Sequence, residues 1–331
     1  MIGDTTHSSP VILRAVAGAG IAATVDECLR FCGLDAAVPR HAKVIVKPNL
    51  CTALPDRVRP ANTSPEVLAA VCEAVLGRTG DIRVVEADNL RQTADDAFAA
   101  TGYREIRTRL GIQLVNLSRE PTVPLPGPGG RVLQLPRILL ECDALITVPV
   151  LKTHALTYFT GALKNQWGCV PQYDRILLHK DLDELLVFLQ RVLRPRIALM
   201  DGIVAMDGRG PVNGTPRPLG ILLAGRDLVA LDATAMRLTG LEPRSARHVL
   251  LAAERGLGNF EERHIAVDGE WARHATVFKP AVKDAAITAM NYMSRYSWFV
   301  KYALERDSVF YPVRAVVQAL RQAGLIQGAS R

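Results

Sequence analysis

Short, continuously apolar runs alternate with amphipathic helical patterns along most of this 331-residue chain, and this alternation limits the fold more than any other feature. Seven runs have the length and composition of buried strands, at residues 11–17, 42–46, 82–86, 112–117, 144–148, 197–200 and 219–224. Helical patterns occupy residues 24–32, 65–76, 94–101, 182–193, 228–238 and 246–254. The alternation predicts an α/β fold with a mainly parallel sheet and helices on both faces.

Composition changes near both ends of the chain and predicts three segments. The polar residues 1–10 are expected to form a flexible tail, and residues 11–279 to form the α/β domain. Residues 280–331 are expected to form a helical C-terminal appendage, in which aromatic side chains alternate with Arg and Lys. Three interpretations of this extension stay open: packing on the main domain or a second subunit, a lid over the active site, and a membrane-surface helix.

Charge and hydropathy narrow the partners that we expect. The net charge of +7 suits a small anionic substrate, whereas the scattered basic residues lack the clustering that nucleic-acid binding requires. No apolar run reaches the roughly 18 residues of a membrane span, and the N-terminus lacks a signal-peptide pattern. The sequence therefore predicts a cytoplasmic protein without a nucleic-acid or membrane partner, and it leaves open a homo-oligomer formed through the C-terminal extension.

The six cysteines show no metal-cluster spacing. No C-x-x-C pair and no ferredoxin-type run occurs, so no ferredoxin-type iron–sulfur cluster is expected. Cys28 and Cys32 share one face of a predicted helix and are interpreted as core residues. Cys169 follows a segment rich in polar groups and is the thiol that we expect nearest to a functional site.

Reactive side chains gather just after the apolar run at residues 144–148. Lys152, Thr153 and His154 follow its terminal Pro, and Lys164 and Asn165 come soon afterwards. His179 comes next in the chain. In open α/β sheets ligands bind beyond the carboxyl ends of the strands, so these groups are expected to line a crevice there.

The chemistry of these groups suits proton transfer. A helix start after His154 would keep its imidazole neutral, as a general base or a metal ligand. A partly dehydrated Lys164 would lose basicity and become a nucleophile or an acid–base group.

Three other places supply polar groups to the same predicted crevice. Lys47 and Asn49 bracket a Pro where a strand ends, either as anion and amide contacts or as a plain strand exit. Asp201 ends another strand and precedes a Gly-rich loop with Gly210 and Asn213, which either approaches a ligand or is a mobile surface loop. Asp232 lies inside an apolar helix, where it either anchors the loop after Asp201 or faces water.

Several of these blocks, in this order, resemble the DUF362 family. The likeness covers about residues 44–269 and rests on motifs at residues 47–49, 63–66, 148–154, 164–165, 201–204, 208–211, 224–227 and 253–258, together with Asp232. The resemblance implies a shared fold and supplies no reaction.

A weaker likeness joins His154, residues 160–165, Gly168 and His179 to the nickel-pincer lactate racemase family. That resemblance implies an acid–base role for His154, attachment of a cofactor to Lys164 and nickel ligation by His179. The chain departs from that pattern in having Thr-Gly-Ala where the family has a richer glycine run.

Together these observations predict an enzyme of the isomerase or lyase type that does acid–base chemistry on a small anionic metabolite. His154 would move the proton, Lys164 would stabilise negative charge or hold a cofactor, and Asp201 would orient a His or bind metal. Lys47, Asn49, Lys152, Thr153, Asn165, Gly210 and Asn213 would bind the substrate. The cofactor is unknown, with a divalent metal at His179 left open. Two alternatives remain: a redox or tailoring enzyme of secondary metabolism, and a non-catalytic protein that binds an anion, a metal or a cofactor.

Overall fold

The computed structural model of the protein describes residues 8–16, 18, 20–281, 289, 292–304, 306, 308, 309, 312, 316 and 319. The strands in this part of the chain are β1 (Ser9–Ala15), β2 (Val44–Pro48), β3 (Ile82–Glu86), β4 (Gln113–Asn116), β5 (Thr122–Pro126), β6 (Val132–Pro136), β7 (Ala144–Val148), β8 (Val150–His154), β9 (Tyr158–Phe159), β10 (Ile197–Asp207), β11 (Thr215–Gly225) and β12 (Ile265–Asp268). No helix among the described residues has both the length and the apolar content needed to cross a bilayer.

One large sheet organises the fold. Its strands lie in the order β12-β1-β11-β10-β7-β2-β3-β4, and β8 pairs with β10 beyond the end of β7. The pairs β1–β12, β10–β7, β10–β8, β2–β7, β2–β3 and β3–β4 are parallel, whereas β11 runs antiparallel to both of its neighbours. The expected mainly parallel sheet is therefore confirmed, with β11 as the reversed strand.

Helices cover both faces of this sheet. They are α1 (Gly20–Phe31), α2 (Leu34–Ala37), α3 (Val58–Ala61), α4 (Pro65–Leu76), α5 (Ala94–Ala100), α6 (Tyr103–Leu110), α7 (Arg137–Leu140), α8 (Gly161–Asn165), α9 (Leu182–Leu193), α10 (Leu228–Leu238), α11 (Arg247–Glu254) and α12 (Trp271–His274). Alternate residues of β2 show the two layers: Val44 and Val46 pack with α1 and α4, whereas Ile45 packs with α9 on the opposite face.

Side-chain caps fix the starts of two of these helices. Asp227, the polar residue before the apolar run of α10, caps that helix, because its carboxylate accepts from the Ala230 N–H at 3.0 Å. The sequence suggests Thr63 as the cap of α4, but the adjacent Ser64 takes that place. The Thr63 hydroxyl is used elsewhere, where it donates to the Val148 carbonyl at 2.6 Å.

The predicted apolar runs do not include strands β5, β6, β8, β9 and β12, and of these β8 matters most for the site. Strand β8 carries Lys152 and His154 and is buried on both sides, although its sequence is polar. Its pairing with β10 extends the sheet past the end of β7 and brings His154 to the carboxyl edge.

The C-terminal extension is described only in part. A short helix (Ser297–Phe299) and a π-helical turn (Val300–Leu304) lie within residues 292–304, where Tyr292, Tyr296 and Trp298 are exposed. These elements confirm helical structure in the predicted appendage. Residues 1–7 of the predicted tail lie outside the described residues, and β1 begins at Ser9, inside the segment expected to be a tail.

Candidate functional site

Helix α8 carries Lys164, and a buried carboxylate fixes its first turn. Asp232 of α10 accepts hydrogen bonds from the backbone N–H groups of Ala162 at 2.6 Å and Leu163 at 3.0 Å. Gly161 starts the helix at φ +57°, and a side chain there would place Cβ 2.3 Å from the Asp232 carboxylate. Asp232 therefore anchors the Lys164 helix, rather than the loop after Asp201 or the solvent side.

The Lys164 side chain is half-buried and has no hydrogen-bond acceptor for its ammonium among the described residues. Burial is the main cause that lowers the pKa of this amine to about 8, with the charge of Cys51 opposing it and those of Lys152 and Arg175 adding to it. An amine with this pKa exchanges protons readily near neutral pH.

His154 is the last residue of β8, and hydrogen bonds hold its buried imidazole ring in one orientation. Its Nδ1 accepts from the backbone N–H of Leu156 at 3.1 Å and more weakly from that of Thr157 at 3.4 Å. Burial, then the charges of Lys164 and His179, keep the pKa of His154 well below its ordinary value. The ring is therefore neutral, and because Nδ1 is the acceptor, this tautomer carries its proton on Nε2.

Lys164 has two further imidazoles around it, His179 and His248. His179 lies on a 3₁₀ turn (Arg175–Asp181) with its ring 5.9 Å from that of Trp167. Burial lowers the pKa of both imidazoles to about 3, and the charge of Lys164 contributes in each case. The charge of Lys164 thus lowers the pKa of both His154 and His179, and the roles assigned to these three side chains stay predictions.

His248 is a residue that sequence reasoning missed. It lies in α11, is fully buried, and neither of its ring nitrogens has a hydrogen-bond partner. Nothing in its neighbourhood of the sequence marks it, because it follows an Arg in an ordinary helical pattern. Only the packing of α11 against α8 and α9 brings it to the site.

Lys152 extends the cluster toward a thiol. Its buried ammonium donates to the Ala61 carbonyl and lies 3.1 Å from Cys51 Sγ. Cys51 is half-buried and also contacts Asn49 Oδ1 at 3.4 Å. The expected thiol, Cys169, lies in the apolar core instead, where burial raises its pKa to about 12.

A saturated polar layer lies beside this cluster. Lys47 donates to Glu86 at 2.8 Å and to the Pro48 carbonyl at 2.6 Å. Asn49 donates to Asn165 at 3.0 Å, and Asn165 in turn donates to the Lys47 carbonyl at 2.9 Å. Lys47, Asn49 and Asn165 thus lie together and bond to one another, and their predicted binding of substrate stays a prediction.

The Gly-rich loop after β10 contacts β8 through its backbone. Thr153 donates its hydroxyl proton to the Gly208 carbonyl at 3.0 Å, and a Cβ at Gly210 would lie 1.9 Å from the Thr153 carbonyl oxygen. Asn213, at the exposed end of the loop, accepts from Arg57 at 2.8 Å. Substrate binding by Thr153, Gly210 and Asn213 stays a prediction.

Asp201 is buried and both of its carboxylate oxygens accept backbone N–H groups, from Ser64 at 2.9 Å and from Ile203 at 3.0 Å. The bond from Ser64 ties the middle of β10 to the start of α4, and β10 continues to Asp207, so the prediction that Asp201 ends the strand is wrong. No described imidazole hydrogen-bonds to Asp201, so its predicted catalytic role stays untested.

Metal ligation at His179 also stays a prediction. Among the residues that the structure describes, no three His, Cys, Asp or Glu side chains come together as a metal site. Two cavities of about 210 and 450 Å³ lie elsewhere, one beside Lys43 and Arg137 and the other beside Arg237 and Phe260.

Comparison with known proteins agrees with the motifs. A thylakoid-associated protein of Synechocystis sp. is 31% identical over 223 residues, which are 65% of this chain and 68% of that protein. The lactate racemase apoprotein of Thermoanaerobacterium thermosaccharolyticum is similar in structure over 77% of this chain at 14% identity, with a TM-score of 0.44. A Thermotoga maritima protein is similar over 71% of this chain at 13% identity, with a TM-score of 0.38.

This chain spans 58% of each of these two solved structures, and likenesses this distant carry no conclusion about activity. The sequence profile of the family described as "Domain of unknown function (DUF362)" matches residues 44–237, more than half of the chain. The chain therefore belongs to the DUF362 family.

Proposed function

We propose that this protein is an enzyme of the isomerase or lyase type that moves a proton on a small anionic metabolite. The observation that carries the proposal is the amine of Lys164, which is half-buried, has no acceptor among the described residues, and has a pKa of about 8. A group that titrates close to the working pH has both the right protonation state and a useful driving force.

Lys164 is the proposed base. Its neutral amine would take a proton from the carbon next to the carboxylate or carbonyl group of the substrate. The resulting ammonium would return the proton to the other face or to a neighbouring carbon in an isomerase. In a lyase it would protonate the departing group. Each alternative leaves the amine neutral again, so the proton balance closes without an external acid.

His154 is the proposed donor to the negative charge that develops on the substrate oxygen. Its Nδ1 is held by backbone N–H groups, so the neutral ring presents an Nε2 proton. A neutral imidazole in this role donates a hydrogen bond and keeps its proton, as in other enzymes that stabilise an enolate. This role differs from the general base that the sequence suggests.

The surrounding cations favour an anionic substrate. Lys152 and Arg175 donate to backbone carbonyls, and neither forms an ion pair with a carboxylate among the described residues. Their fields oppose protonation of Lys164 and add to the attraction for a bound anion. A carboxylate or phosphate near Lys164 would find these charges already in place.

A divalent metal fits this site only in part. His179 would supply one protein ligand, and Lys164 would supply the attachment point of a cofactor, as the family resemblance implies. Because no three His, Cys, Asp or Glu side chains come together as a metal site among the described residues, the remaining ligands would have to come from a bound small molecule. A bound metal would supply Lewis-acid polarisation of the substrate oxygen.

Solvent deuterium exchange tests the proposal before the substrate is known. The protein is incubated in D₂O with a panel of small 2-hydroxy, 2-oxo and unsaturated carboxylates and phosphorylated acids, and incorporation at carbon is read by mass spectrometry. We expect exchange in at least one compound, lost in Lys164→Met and reduced in His154→Phe, with Lys43→Met on the exposed surface as the matched control. Equal exchange in Lys164→Met would overturn the assignment. Tight ligand retention without exchange would instead indicate a binding protein.

A further inference from the structure

His248 is a buried polar side chain that the proposed chemistry does not use. It is fully buried in α11, and both ring nitrogens lack a hydrogen-bond partner. A buried polar group without a hydrogen-bond partner destabilises the fold, and a Phe of similar size would avoid that cost. A partner that can reach the imidazole would satisfy it.

Lys164 is the complementary unmatched group. Its ammonium has donors and no acceptor, whereas the neutral ring of His248 has an acceptor nitrogen and no donor facing it. The two helices that carry them, α8 and α11, contact each other, and the charge of Lys164 acts on His248. A change in lysine rotamer requires no movement of the backbone.

A third helix supplies the group that orients the ring. The carboxylate of Asp183 in α9 lies 3.8 Å from His248 Nδ1, and α9 contacts both α8 and α11. A carboxylate on that side favours the tautomer with its proton on Nδ1, which leaves Nε2 as an acceptor. The three contacting helices thus contribute a carboxylate, an imidazole and an amine.

The magnitudes exclude proton transfer from Lys164 to the ring. Burial lowers the pKa of His248 to about 3, whereas that of Lys164 is about 8. The difference disfavours an imidazolium by a factor of about 10⁵, at tenfold for each pH unit. His248 therefore stays neutral and acts through a hydrogen bond.

We propose that His248 is a positioning residue for Lys164: its Nε2 accepts a hydrogen bond from the lysine ammonium while its Nδ1–H faces Asp183. The inference deepens the proposed function, on which it rests, by naming the group that directs the amine. Other charges that act on Lys164 belong to Cys51, Lys152, Arg175 and Lys47, and the variants below leave them in place.

The test measures the pH dependence of Lys164 acetylation in the full-length protein. The intact mass first establishes that Lys164 is unmodified, and peptide mass spectrometry then follows Lys164 relative to the exposed Lys43. Wild type is compared with His248→Phe, which removes the acceptor, and His248→Gln, which restores one. The hydrogen bond favours the ammonium form of Lys164. We therefore expect the pH midpoint of Lys164 acetylation to fall by about one pH unit in His248→Phe. In His248→Gln this midpoint should return toward the wild-type value.

Equal midpoints in all three proteins would overturn the inference, since a purely structural histidine would not alter the titration of Lys164. If His248→Phe fails to fold, Asp183→Asn serves in its place, and a smaller shift in the same direction is expected. An unchanged midpoint in Asp183→Asn would then count against the inference. Deuterium exchange tests the proposed function, whereas the midpoint of Lys164 acetylation tests the role of His248. The second result can therefore be judged whether or not turnover of a metabolite is found.

Discussion

Two lysines near the carboxyl edge of the sheet have opposite surroundings. Lys47 is fully buried and bonds to Glu86 at 2.8 Å and to a backbone carbonyl. Lys164 is half-buried and bonds to nothing among the described residues. The difference indicates that the layer around Lys47 holds the fold together, while the unmatched donors and acceptors around Lys164 are available to a ligand.

The largest loss of stability should follow from a substitution in the hydrogen-bonded layer around Lys47. Glu86→Leu leaves the Lys47 ammonium buried without a counter-ion and also removes the acceptor for two backbone N–H groups. We expect a loss of about 3–5 kcal/mol in the free energy of unfolding, measured by urea denaturation. The Lys47→Met/Glu86→Leu double variant should recover much of it. A double variant no more stable than the single one would mean that the ion pair is not what Glu86 contributes.

The carboxylate that holds the Lys164 helix should make stability depend on pH. Burial raises the pKa of Asp232 to about 7, whereas an unfolded Asp releases its proton near about pH 4. The native state therefore binds more protons than the unfolded state in this window, and stability falls as the pH rises from about 4 to 7.

The expected fall is on the order of 2–4 kcal/mol, and Asp232→Asn should flatten it because an amide does not titrate. Urea denaturation at half-unit pH steps compares the two slopes. Parallel slopes in wild type and variant would show that Asp232 does not titrate as proposed.

Gly168 tests how tightly the Lys47 layer is packed. A Cβ at this position would lie 2.3 Å from Glu86 Oε1 and 2.6 Å from Lys47 Nζ. Gly168→Ala should destabilise the protein by about 1–3 kcal/mol, the usual cost of overpacking. Gly80→Ala is the matched control, because nothing lies within 4 Å of its added methyl group, and it should change thermal stability little. Similar melting temperatures for both variants would contradict the close packing.

Cys51 lies between the layer around Lys47 and the cluster around Lys164, and we expect it to be alkylated before the other cysteines. Burial raises the pKa of Cys28, Cys32, Cys72 and Cys169 to about 12 and of Cys142 to about 11, whereas Cys51 lies 3.1 Å from the Lys152 ammonium. We expect iodoacetamide to label Cys51 at least about tenfold faster than half-buried Cys142, and Lys152→Met to slow it. Mass spectrometry that finds Cys142 labelled first would contradict this reactivity.

The sequence predicts the elements of this fold better than the partners of its polar groups. Apolar runs identify the central strands, and the spacing after β7 places His154 and Lys164 in one predicted site. Whether a buried donor meets an acceptor depends on contacts between distant elements, such as the bond between Asn49 and Asn165, 116 residues apart. Local pattern therefore could not distinguish Lys47 from Lys164.

The same reason explains the residues that were missed. Cys51 and His248 reach the site through the close approach of separate elements, and neither has a local spacing that marks it. The tie from Asp232 to α8 also spans 70 residues, so the sequence indicates that this carboxylate needs a partner and cannot identify one.

Lys164→Met should have the smallest effect on stability, and it is the sharpest test of the contrast between Lys47 and Lys164. Lys164→Met keeps the apolar stem of the side chain and removes an amine that forms no hydrogen bond with a described residue. Because burial already lowers the pKa of this amine to about 8, the folded state gains nothing from its charge. The variant should therefore unfold within about 0.5 kcal/mol of wild type, or be more stable.

Lys47→Met is the counterpart and should cost about 3–5 kcal/mol, because it leaves the buried Glu86 carboxylate without a counter-ion. Urea denaturation of both variants at pH 7 compares the two lysines directly. If Lys164→Met were as damaging as Lys47→Met, Lys164 would hold the fold and would not be free for a substrate. A stable Lys164→Met protein that has also lost deuterium exchange would instead assign this amine to chemistry.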